Sequence, residues 1–156
     1  MSLFIALVLA STPQTIPSKS EGVLAVHDAL IMITLNQAGK AVSARDPKLL
    51  RPLLRPYGNF TVMEEKADGS RLLSSGDWDA YLKTLKAGPE EYQEQLLEVR
   101  IRRDGEVADV RAPYVFWVDG KLSHCGVNHY QLVFDEGLWK IQNLLWTQRV
   151  TGCSQK

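Results

Sequence analysis

The chain has 156 residues, with 18 basic and 18 acidic side chains and no formal net charge. That length suits one domain able to bury most of the surface its unfolded chain exposes. With no basic cluster interleaved with aromatics, nothing in the balanced charge provides an electrostatic footprint for nucleic acid.

The first residues read as a processing segment. Leu3–Ala10 is an apolar run followed by Ser11, Thr12 and Pro13, and Val8-Leu9-Ala10 puts compact residues where a signal peptidase reads. The run is too short to span a bilayer as a mature helix, and no lysine or arginine precedes it. Residues 1–19 are therefore read as a signal peptide, or otherwise as a disordered leader or first buried strand, and 20–156 as a single domain. Export makes the protein periplasmic or secreted; the alternative is cytoplasmic. In an exported protein Cys125 and Cys153 form a disulfide around 27 intervening residues; otherwise they are two free thiols.

Ser20–Ala44 is the long helix, with Val23, Val26, Leu30 and Ile33 at three- and four-residue spacing and Leu24, Ala25, Ile31 and Leu35 beside them. Asp46 and Pro47 suit the N-cap and first turn of a second, short helix, and Pro56 ends it. Arg45, Lys48, Arg51 and Arg55 read as that region's solvated face. Asn59–Lys66 is a strand, Asp68-Gly69 a turn, and Ser75-Gly76-Asp77 opens a third helix that Gly88-Pro89 stops.

From Glu94 to Val150 the chain reads as four antiparallel strands. A two-residue Asp104-Gly105 loop pairs Arg100 with Asp109 and Glu98 with Arg111, leaving Leu97, Val99 and Ile101 over Ala108, Val110 and Ala112 on a core face. A three-residue loop with Gly120 in the left-handed region, closing a bulge, sets Tyr114 opposite His124. A two-residue loop at Glu136-Gly137 sets Phe134 opposite Trp139, Leu132 opposite Ile141, Tyr130 opposite Asn143 and Asn128 opposite Leu145. The expected inner face thus carries Tyr114, His124, Asn128, Tyr130, Asn143 and Arg149, and no carboxylate. The outer face collects Val115, Trp117, Val127, Leu144, Trp146 and Val150, an apolar patch of the kind that marks an interface and predicts a homodimer.

This order of elements, the helix–Ala44-Arg45-Asp46-Pro47–helix step and the closing Gly137-Leu138-Trp139-Lys140-Ile141 resemble the nuclear transport factor two-like superfamily, also called SnoaL-like or ketosteroid-isomerase-like, over roughly residues 20–150. The Val118–Asn128 segment and the Thr147–Cys153 tail resemble exported bacterial members of unassigned function. The resemblance implies an α+β cone, a curved antiparallel sheet wrapped around a long N-terminal helix and two shorter ones. It also implies a cavity, although the fold hosts isomerases, dehydratases, cyclases and non-catalytic binding modules alike. Ketosteroid isomerase chemistry requires a carboxylate base beside a tyrosine and a protonated aspartate. On the expected register that base has to come from Asp28, Asp46 or Asp77 on the helical side.

No zinc-binding or phosphate-loop motif and no nucleophile elbow is present, and no metal or cofactor is expected. His124 and Cys125 are consecutive strand residues and diverge. The leading reading is a cone that binds a small hydrophobic or mixed-polarity molecule through Tyr114, His124, Asn128, Tyr130, Asn143 and Arg149. The alternative is an isomerase, dehydratase or cyclase with His124 as base and Tyr114 or Tyr130 polarising a carbonyl. A third reading is a structural dimer module built on the outer face.

Overall fold

The computed structural model describes residues 19–153; the expected leader lies, but for its last residue, outside them. Helix α1 (Lys19–Ser43) is followed by α2 (Pro47–Leu50), a short 3-10 turn (Arg51–Leu53), β1 (Leu54–Glu65), β2 (Arg71–Asp77) and α3 (Trp78–Leu82). The remaining strands are β3 (Tyr92–Leu96), β4 (Arg100–Asp104), β5 (Val107–Val118), β6 (Lys121–Asp135) and β7 (Leu138–Arg149). One sheet runs β2-β1-β7-β6-β5-β3, with β4 pairing β5 beyond the end of β3. All neighbours are antiparallel except β1 and β7. The α+β cone expected from the sequence is the observed fold.

Helix α1 lies against the inner face through Ile31, Leu35, Ala38 and Ala41, all buried. Each large aliphatic among these contributes about 1.5–3 kcal/mol by leaving water. Of the other expected stripe, Leu30 packs against the core while Val23, Val26 and Ile33 are exposed. Thr34, buried on the packed side, donates its hydroxyl to the Trp139 carbonyl at 3.0 Å and ties helix to sheet. Asp46 caps α2 through the Lys48 amide, with Pro47 at the first turn, and Asp77 caps α3 through the Ala80 amide.

The registers correct the sequence reading. In the first hairpin Asp104 pairs with Val107, so Gly105 (φ +56°) and Glu106 form the loop and every pairing moves by two residues. The faces survive that shift but the expected ion pairs do not. Arg100 sits opposite Arg111 and instead bonds Glu98, in the bend just before its strand, at 2.8 Å. The middle loop has two residues, Asp119 and Gly120, both at positive φ, and the extra residue lies downstream as a bulge at Ser123. The sequence reading assigns no strand between the Asp68-Gly69 turn and the third helix; Arg71–Asp77 pairs with β1 along its whole length, and Asp77 then caps α3.

The most consequential bulge is in β7. Leu132 pairs with Ile141 as expected, but Gln131 pairs with Asn143, so Gln142 is the extra residue and alternation changes phase there. Leu144 and Trp146 turn inward opposite Tyr130 and Asn128, while Asn143 and Leu145 turn outward. The expected outer patch loses Leu144 and Trp146. Val115 and its partner Cys125 are buried, and Cys125 is bonded to Cys153 with Cα atoms 5.6 Å apart.

Gly58 makes room for this bulge. A Cβ there would lie 1.9 Å from the Gln142 carbonyl oxygen and 2.2 Å from Trp78 Nε1. Gly58→Ala is therefore expected to cost about 2–3 kcal/mol through overpacking against backbone that cannot retreat. Gly22→Ala, in open space on α1, is expected to gain about 0.5–1 kcal/mol. Urea midpoints measure both; equal midpoints for the two variants contradict the role assigned to Gly58.

Candidate functional site

The cone holds a half-open cavity of about 360 Å³, roofed by α1 and α3 and floored by the sheet. A polar group lies at its centre. Asn128, buried on β6, donates one amide hydrogen to Glu94 Oε1 at 2.9 Å and the other to the Tyr130 hydroxyl oxygen at 3.0 Å. Around this chain stand Tyr81, Tyr114 and Trp146, and Trp146 closes an aromatic cluster with Phe60 at 5.7 Å and Tyr81 at 5.9 Å between ring centres.

Glu94 overturns the expectation that no carboxylate faces inward. On an unbroken strand it would share parity with Glu98 and Arg100 and face solvent. Between β3 and β4 the pairing with β5 slips by one residue: Leu96 pairs with Tyr114, yet Arg100 pairs with Arg111. Tyr92, Glu94 and Leu96 therefore face inward, and so does Ile101 after the slip. The adjacent apolar pair Leu96-Leu97 is the trace of this phase change in the sequence.

Burial pushes the Glu94 carboxyl above its ordinary range, and the Asn128 hydrogen bond only partly opposes that. Burial first, and then the Glu94 charge, raise Tyr81, Tyr114 and Tyr130, so the phenols keep their protons. Desolvation lowers His124, which favours its neutral form. His124 stacks on Phe116 with ring centres 4.7 Å apart, meets Tyr114 edge-on at 5.8 Å, and has Ser123 Oγ 3.1 Å from its Nδ1. Tyr114 donates its hydroxyl to the Thr147 carbonyl at 3.1 Å.

Of the residues named from sequence, Tyr114, His124, Asn128 and Tyr130 line the cavity. Asn143 and Arg149 do not, because the Gln142 bulge reverses their faces. Asn143 bonds Gln131 on the outside at 2.9 Å, and Arg149 pairs with Cys125. Asp28 lies 3.7 Å from Arg103, and Asp46 and Asp77 are helix caps, so none of the three supplies an acid to the cavity. His27 accepts the Trp139 indole hydrogen at 3.2 Å.

Arg45 is also misread as solvated: its side chain is only 10% exposed. Its guanidinium lies 4.3 Å from the Tyr92 ring centre, pairs with Glu90 at 3.1 Å, and donates to the Gly88 and Glu90 carbonyls. It thereby pins the loop that leads into β3.

No family model and no curated protein matches the chain. Solved structures do. The beta subunit of a candidate aromatic-ring-hydroxylating dioxygenase from Novosphingobium aromaticivorans superposes with a TM-score of 0.68 at 12% identity, over 85% of this chain and 95% of that one. A candidate scytalone dehydratase from the same organism gives 0.65 at 15% identity, over 86% and 99%. A candidate dehydratase of the NTF2-like family from Streptomyces avermitilis gives 0.64 at 16% identity, over 80% and 96%. At such identities the likeness is one of fold, and the fold is the nuclear transport factor two-like cone.

Because the unfolded state leaves Glu94 at its ordinary pKa and folding raises it, this residue's contribution is fully present below the ordinary glutamate range. It is lost as pH rises through the raised value. Glu94→Gln is therefore expected to melt near wild type at about pH 4 and above it at about pH 8. A melting difference independent of pH would contradict the burial assigned to this carboxyl.

Proposed function

We propose that the cone binds a small, compact and largely apolar molecule, recognised at its centre by Glu94, Asn128 and Tyr130. The observation that carries this reading is a carboxylate hydrogen-bonded on the inner wall of an aromatic-walled cavity. A buried carboxyl with one amide partner is costly to keep and adds nothing to the packing of the core, so its use lies with whatever enters. The cavity's size falls in the range of small-molecule sites, which bring a few convergent polar groups into a mostly apolar shell.

Ser123 stands exposed at the mouth. The uncharged dye N-phenylnaphthylamine should brighten on entering the cavity, and Ser123→Trp should suppress that signal without lowering the melting temperature. A dye response unaltered by Ser123→Trp would mean that the cone is not the site.

A second reading has Glu94 transferring a proton. A carboxyl poised above its ordinary range, coupled through one amide to a tyrosine hydroxyl, has the elements of an acid–base pair acting beside a carbonyl. Two of the structures with this fold are described as candidate dehydratases. On this reading the protein catalyses exchange of the hydrogens next to the carbonyl of cyclohexanone in heavy water, and Glu94→Gln abolishes it. Exchange at the buffer rate leaves only the binding reading.

A further inference from the structure

We infer that the molecule held in this cavity is an organic cation, an amine or quaternary ammonium group on a compact apolar body. This inference rests on the small-molecule reading above and adds the charge of the ligand.

The cavity wall holds one carboxylate, Glu94, and no lysine or arginine. His124, the other titratable group of cationic type on the wall, is held toward its neutral form by burial. Among the described residues no cation lies within ion-pairing distance of Glu94. Arg45, stacked on Tyr92, is committed to Glu90 and to the carbonyls of Gly88 and Glu90. Lys40 lines the separate surface groove between α1 and β3, which Glu94 also borders, and forms no ion pair there. The carboxylate is desolvated and lacks the partner that would offset the cost.

The walls fit the same ligand. Trp78, Tyr81, Tyr92, Tyr114, Phe116 and Trp146 present rings to one cavity. Aromatic faces attract a cation through the ring quadrupole, most strongly when water is excluded. The charge of the wall argues against an anionic ligand. Both Asn128 amide hydrogens are already given, to Glu94 and Tyr130, and the Tyr114 hydroxyl is given to Thr147. An anion would meet Glu94 at close range, with no lysine or arginine on the wall to offset it.

Cation binding is then linked to ionisation of Glu94. Of the groups facing it, Tyr81, Tyr114 and Tyr130 keep their protons and burial holds His124 toward its neutral form, so ionisation of Glu94 supplies the negative charge of the wall. Affinity for the cation should rise with pH through the raised carboxyl value and level off above it.

The test uses choline and its uncharged isostere 3,3-dimethylbutan-1-ol, titrated into the full protein and followed by the fluorescence of the wall tryptophans, Trp78 and Trp146. Choline should bind about tenfold more tightly than the alcohol at neutral pH. The preference should shrink on acidification and vanish in Glu94→Gln, whose amide oxygen keeps the Asn128 hydrogen bond and whose fold is checked by circular dichroism. Equal or tighter binding of the alcohol overturns the cation and leaves the small-molecule reading standing. Binding of neither overturns both. A choline preference that survives Glu94→Gln overturns the role given to this carboxylate.

Discussion

The structure depends on one geometric constraint: a sheet curved tightly enough to hold a cavity cannot keep perfect alternation along every strand. Each extra residue bends its strand and exchanges the inner and outer sets of side chains beyond it. Here the slip between β3 and β4 brings Glu94 inward, and the bulge at Gln142 brings in Leu144 and Trp146. The bulge at Ser123 keeps His124 inside while the loop at Asp119-Gly120 stays two residues long. Remove the slip and the cavity loses its acid; remove the Gln142 bulge and it loses an aromatic wall. Gly58, with no side chain to collide with the Gln142 carbonyl, lets β1 lie beside that bulge.

Those phase changes also mark the boundary of what the sequence reveals. Local chemistry was legible: the Asp46-Pro47 cap, the Asp119-Gly120 and Glu136-Gly137 turns and the apolar runs on α1 lead to the right elements and the right class of fold. Tyr114, His124, Asn128 and Tyr130 come out on the cavity wall because they lie upstream of the β7 bulge or between compensating shifts. Asn143 and Arg149 fail for the opposite reason, since they follow Gln142 and inherit the reversed phase. Strand β2 is not legible because Ser75-Gly76-Asp77 reads as a helix start, and its strand character comes from pairing with β1 rather than from propensity. Glu94 was hidden because a charged residue in an alternating run is assigned to water unless the run is known to slip. Leu96-Leu97 carried that information, yet two adjacent leucines fit a fully buried strand equally well.

Energetically the site runs against the rest of the molecule. The core around Ile31, Leu35, Leu132 and Trp139 is apolar and closed, whereas the cavity sets aside space and buries a carboxyl with a single amide donor. Such a group is tolerated when its surroundings are rigid, and Asn128 is held on both sides: its two donors are spent on Glu94 and Tyr130, and it sits mid-strand between β5 and β7. The arrangement is preorganised, because the bond to Asn128 holds the Glu94 carboxylate toward the cavity.

The corner between α1 and α2 completes this preorganisation. Arg45 occupies the left-handed region at φ +51°, which costs a non-glycine residue about 1 kcal/mol. That conformation aims its guanidinium across the end of the cone, where it bonds Gly88 and Glu90 and covers Tyr92. Tyr92 and Glu94 are alternate residues of one short strand, so fixing the first fixes the direction of the second. On the other side of the same strand the Glu94 backbone amide donates to the Ser43 hydroxyl at 3.3 Å. The Ala44-Arg45-Asp46-Pro47 step therefore does more than start a helix. It holds the strand that carries the acid from both ends of one corner, and thereby sets the direction in which the Glu94 carboxylate faces the cavity.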